Sequence, residues 1–216
     1  MQDLFTSFFV ILITILMITA IFAFIKINQD KKEKLIRNLV DSRGWKYQKI
    51  HQGSANGYSL QFHNWSLEVI TSSEGIPNAN GHSLWWAANT HPEKGILLIG
   101  PQPAMNNLGP VNGLLIQKAA TLFLGEMAEG LKEVSIGSNI FDQKFMLLSN
   151  SDSTAKELIT TTLERELIEW PVKLLPIIKV LPERISIEIP GYHIQRPEEI
   201  EAIIHIGEIL LINLRD

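Results

Sequence analysis

From Leu4 to Ile25 the chain carries no charged side chain, and fifteen of these 22 residues are Leu, Ile, Val or Phe. At about 0.3–0.6 kcal/mol each, they favour bilayer insertion by roughly 5–9 kcal/mol. As helix the run spans about 33 Å, against a hydrocarbon core of about 30 Å. The hydroxyls of Thr6, Ser7, Thr14 and Thr19 can bond back to the preceding turn. A cleaved signal peptide fits less well. Asp3 is the sole charge before the run, the stretch exceeds the usual apolar core of about 7–15 residues, and it ends in "FAFIKINQ" without a small-x-small site. The expectation is an uncleaved transmembrane helix over residues 4–25.

Charge sets the expected direction of crossing. Lys26, Lys31, Lys32, Lys34 and Arg37 follow the run, and no Lys or Arg precedes it. Cytoplasmic flanks carry the excess of Lys and Arg. The N-terminus is therefore expected outside and the rest in the cytoplasm, at the cell's inner membrane. These cations would lie at anionic headgroups, each worth about 1 kcal/mol near the surface. No ionisable residue lies inside the apolar slab, so a transport role for the helix is disfavoured against a lipid-facing tether.

Residues 26–44 read as a basic juxtamembrane helix. Leu35, Ile36, Leu39 and Val40 make a narrow apolar stripe that would dock on the chain's own domain, and Gly44 is a natural helix stop. Residues 45–216 are enough for one domain with a core. No cysteine is present, which removes disulfides, thiolate metal sites and cysteine nucleophiles.

Short alternating runs follow: Trp45–Ile50, Tyr58–Phe62, Trp65–Ile70, Ser83–Thr90 and Ile96–Gly100. The second and third join through His63-Asn64 as a hairpin. Residues 114–134 take helical spacing, with Glu126, Glu129 and Glu133 on another face. Lys144–Asn150 reads as strand. Capping-box spacing at Thr154–Glu157 and Thr161–Glu164 marks two helix starts. The Pro-rich stretch 171–182 is too short and too interrupted to cross a membrane and reads as an extended connector. "RISIEIPGYHIQRP" reads as two strands about Pro190-Gly191. Pro197 then opens an amphipathic C-terminal helix. The fold class is α+β: a mainly antiparallel sheet covered by helices.

Chemical motifs are missing. There is no phosphate-binding glycine loop, nucleophile elbow or HExxH. His51, His63, His82, His91, His193 and His205 show no metal-ligand spacing. No catalytic residue, metal or cofactor is expected. From Trp45 onward 13 Lys or Arg face 19 Asp or Glu, which disfavours nucleic acid. Trp85-Trp86 is the candidate partner surface, because neighbours in a strand point to opposite faces.

The stretches "RGWKY", "GYSLQFHNWSLEV" and "FDQKFMLLSNSDSTAKELITTTLERELIEW" resemble a bacterial family of membrane-anchored domains of unknown function. That resemblance implies the same placement and α+β architecture, and no catalytic residues. The resulting expectation is a single-pass cytoplasmic interaction domain, a non-catalytic subunit or scaffold with a protein partner. A membrane-tethered hydrolase, with its site in the loop 100–113 or at the early histidines, is the alternative, alongside a lipid- or ligand-sensing domain.

Overall fold

The computed structural model of the chain describes residues 2–52, 55–71, 81–102, 120–121 and 123–215, with the side chains of 2–12 and 52 excepted. Most of the loop read at 100–113 lies outside the described residues.

Helix α1 (Gln2–Arg43) is a single rod of 42 residues, about 63 Å long. Its stretch from Ile13 onward is long and apolar enough to cross a membrane, with mean hydropathy 1.5 and that window entirely exposed. The segments expected to be transmembrane and juxtamembrane are thus one continuous helix. Its last turns behave differently: Ile36 and Val40 are buried in the main core. Gly44, at φ +68°, ends the rod. Trp45 N–H donates to Val40 O and Gly44 N–H to Asp41 O, the paired bonds of a left-handed glycine cap.

Nine strands make one antiparallel sheet: β1 (Lys46–Gln52), β2 (Ala55–Phe62), β3 (Trp65–Thr71), β4 (His82–Ala88), β5 (Leu97–Pro101), β6 (Lys132–Glu133), β7 (Phe145–Ser149), β8 (Ile177–Val180) and β9 (Arg184–Pro190). Their order across the sheet is β1-β2-β3-β4-β9-β8-β5-β7-β6. The β2–β3 hairpin closes through His63-Asn64, with Phe62 opposite Trp65 and His63 at φ 43°.

Period two then sorts the side chains. Leu60, Leu67, Trp85, Ile187, Ile178, Ile99 and Leu147 lie in one row across seven strands. All are buried. Over that face lie α2 (Asn139–Lys144), α3 (Asp152–Leu158), α4 (Thr161–Ile168) and α5 (Pro197–Arg215). Among the described residues the opposite face is covered at one end, where Leu98, Met146, Leu148 and Ile177 pack with Ala120, Leu124 and Ala128.

Several local readings are corrected by the structure. The stretch 171–182 is no mere connector, because it holds β8, paired on both sides by β5 and β9 in the middle of the sheet. Pro176 and Pro182 bound it without interrupting its ladder. The helix read to Val134 ends earlier, since Gly125 and Gly130 take positive φ and Lys132–Glu133 is an edge strand. Glu126, Glu129 and Glu133 therefore share no helix face. The helix caps are Ser151 for α3 and Thr160 for α4, whose hydroxyls accept from Thr154 N–H and Leu163 N–H.

Beyond Gly191 the second expected strand does not form. Ile194 is buried, and side chains bond its backbone instead of a ladder. Its N–H donates to Ser83 Oγ at 2.9 Å, and its carbonyl accepts from Tyr58 Oη at 2.9 Å. Buried backbone groups need partners of some kind, and here two strands supply them by side chain.

Candidate functional site

The lower half of α1 and the free edge of the sheet enclose a cleft of about 790 Å³. One wall is the helix face Ile25, Gln29, Lys32 and Ile36. The other is built by β1 to β3 and by the segment His193–Gln195. Alternation along β1 puts Tyr47, Lys49 and His51 on the same side of the strand. Buried Ile36, Tyr58, Val69 and Ile194 form the base. Phe24 and Ile25, the last residues of the apolar run, line the cleft's other extreme.

Its polar groups are already organised. Lys49 Nζ lies 2.9 Å from Glu33 Oε1, and Arg37 Nη2 lies 2.9 Å from the same oxygen. The Lys49 hydrogen bond, more than Arg37, holds the Glu33 carboxyl below its ordinary range despite partial burial. The Arg37 guanidinium sits 4.4 Å over the Tyr47 ring, and Tyr47 stacks on Tyr58 at 5.9 Å. Lys32 donates to Gln195 Oε1, and the Gln195 amide contacts the His193 ring. Burial, and then the charge of Lys32, push His193 below the usual imidazole value.

Beneath this cluster, Glu199 is fully buried. It accepts from Tyr192 Oη at 2.7 Å, Arg196 Nε at 2.8 Å, Gln195 N–H at 3.1 Å and Arg196 N–H at 3.3 Å. Burial alone would raise its pKa, but these donors outweigh it and hold the carboxyl below its ordinary value. Pro197 and Glu199 stand at the first and third positions of α5, so this carboxylate also caps the helix.

The two tryptophans part as strand geometry requires. Trp85 is fully buried against Gly207 of α5, so a surface role falls to Trp86 alone. Trp86 lies on the opposite face, half-buried, with the Arg184 guanidinium 5.2 Å above its ring. It lines a groove of about 600 Å³ with Lys46, Gln61, His63 and Ser66. No described helix covers this half of the sheet.

Of the flanking cations, Lys32 lines the cleft and Arg37 braces its wall, while Lys26, Lys31 and Lys34 stay exposed away from its lining. Of the histidines, His51 and His193 both line the cleft, and His63 lines the Trp86 groove. His91 pairs with Glu93 at 3.2 Å, and His205 lies 3.9 Å from Glu166. Among the described residues no three His, Asp or Glu side chains gather as a metal site. Lys49, Tyr47, His193 and Gln195 were missed in the sequence. The Tyr47/Lys49/His51 alternation was a usable signal, but nothing local pointed to residues 193–195.

No family model matches the chain, and no curated protein matches it. Among solved structures, the crystal structure of the mycobacterial trehalose monomycolate transport factor A, TtfA, is similar at 9% identity and a TM-score of 0.46. That alignment covers 85% of this chain and 94% of that one.

Proposed function

We propose that the protein is a single-pass, membrane-anchored binding module. Helix α1 crosses the bilayer with its N-terminus outside, and residues 45–216 stand at the cytoplasmic surface. The observation that carries this reading is the shared core. Ile36 and Val40 of α1 are buried with the sheet and α5, while the helix from Ile13 to Ile25 is exposed apolar surface. An exposed greasy rod of this length has no stable place in water. Its rigid union with the domain means that anchoring also orients the domain. Arg43, ion-paired with Glu201 of α5 at 2.5 Å, ties the same junction from the surface. The lysine flank supports the direction of crossing.

On this reading the domain works as the interaction subunit of a membrane complex, and the open half of the sheet around Trp86 is its protein-binding face. Tryptophan and arginine side by side are the residue types that dominate interface energetics. A photo-crosslinking side chain at position 86 tests it in cells. A discrete adduct with another protein, absent when the crosslinker replaces exposed Glu198 on α5, supports the face. Equal adducts at both positions, or none at 86, count against it.

A further inference from the structure

We infer that the cleft between α1 and the sheet edge holds the headgroup of one anionic phospholipid, drawn from the leaflet in which the helix ends. This rests on the anchored reading above. Three observations carry it.

The first is position. Phe24 and Ile25 close the uncharged run and line the cleft. Headgroup layers extend about 5–7 Å beyond the hydrocarbon on each side. Lys32 lies seven residues past Ile25, about 10 Å along the helix, and a lysine stem can reach back towards that layer. The cleft thus begins at the hydrocarbon edge and ends among ammonium groups, the same order of chemistries found along a phospholipid.

The second is charge. The domain from Trp45 onward is acidic, with 19 carboxylates against 13 cations. In the cleft lining the balance reverses: Lys32 and Lys49 stand against Glu33, with Arg37 beside the wall on the same carboxylate. A phosphodiester would complete this set. Asn28, Gln29, His51 and Gln195 add further polar groups for glycerol or sugar hydroxyls.

The third is shape. About 790 Å³ falls within the range of small-molecule pockets. Its base is apolar and buried, which suits the ester and upper acyl region more than a hydrated inorganic anion.

The test uses the full chain reconstituted in phosphatidylcholine vesicles with and without phosphatidylglycerol. Retention after an alkaline wash is measured first; a chain stripped by the wash defeats the anchored reading itself. For the retained chain, native mass spectrometry counts phosphatidylglycerol that survives gentle detergent extraction. One bound molecule per chain is expected. Lys32→Gln with Lys49→Gln should lower its occupancy at least tenfold, and Lys31→Gln with Lys34→Gln should leave it within twofold. Asn28→Trp, which fills the cleft without removing charge, should also expel it. An integrated chain holding no such lipid, or one losing it equally on changing Lys31 and Lys34, overturns the proposal. So does displacement by millimolar inorganic phosphate as effectively as by added phosphatidylglycerol, which would make this a free-anion site.

Discussion

Gly207 sits in the interior of α5, where glycine costs about 1 kcal/mol relative to alanine. On helix propensity alone, Gly207→Ala should therefore stabilise the protein. The packing predicts the reverse. A Cβ on residue 207 would stand 2.7 Å from Trp85 Cη2, and closer still to Cε2 and Cζ2. Trp85 has no exposed surface to retreat into. Helix α5 cannot lift away easily, because Ile200, Ile203, Ile206 and Leu210 are buried along it. Overpacking a filled core costs about 1–3 kcal/mol, and displacing a whole indole belongs at the upper end. Subtracting the propensity gain leaves a net loss of about 2 kcal/mol. For a domain of this size that is a fall in Tm of about 4–8 °C. Denaturant titration of the full chain in mild detergent, followed by tryptophan fluorescence, measures it. Trp85→Leu should make room, so Gly207→Ala should cost less in that background, with a coupling of about 1–3 kcal/mol. A stabilised Gly207→Ala, or strictly additive single and double variants, would refute the contact between these two residues.

Other variants probe separate parts of the structure. Ser83→Ala removes the hydroxyl that donates to Tyr192 O and accepts from Ile194 N–H; a loss of about 1–3 kcal/mol is expected, checked by the same titration. Val40→Ala opens a cavity where α1 meets the domain and should cost about 1–3 kcal/mol, while raising amide exchange near Gly44. Glu199→Gln tests the buried carboxylate through pH. Its folded pKa lies below the ordinary 4.5, so the unfolded chain takes up the proton first as pH falls. The stabilisation is whole above about pH 4.5 and drains away as pH drops through the folded value. The Gln variant should be less stable at neutral pH and show a flatter acid limb; an unchanged limb would remove Glu199 from the account of acid sensitivity. His193, depressed by burial and by Lys32, runs the other way about its charge. Its neutral form is favoured in the fold, so its contribution is whole above about pH 6.5 and declines as pH falls below that value. His193→Gln should flatten stability between pH 7 and 5.

What the sequence revealed followed from short-range order. The two-residue turn His63-Asn64 between alternating runs marked the β2–β3 hairpin, and strand alternation put Trp85 and Trp86 on opposite faces without saying which would be buried. The amphipathic C-terminal helix opened by Pro197 was readable from its helical period. Long-range pairings were not. β8 is four residues between prolines, and only its neighbours β5 and β9 make it a central strand. The segment through Ile194 looked like a strand because its residues alternate, but its bonds go to Ser83 and Tyr58, more than a hundred residues away. The cleft had the same difficulty. Lys32 was noted as part of a membrane flank, yet a site needs residues 24–36, 47–58 and 193–195 together, and no local pattern links them.

The most direct test of the account is which side of the membrane each end of α1 occupies. The chain has no cysteine, so Gln2→Cys and Glu208→Cys each introduce a single thiol. Intact cells are treated with a membrane-impermeant maleimide, then permeabilised and treated again. The account predicts that residue 2 labels in intact cells and residue 208 only after permeabilisation. Labelling of residue 208 in intact cells, or recovery of the domain as a chain lacking α1, would contradict it.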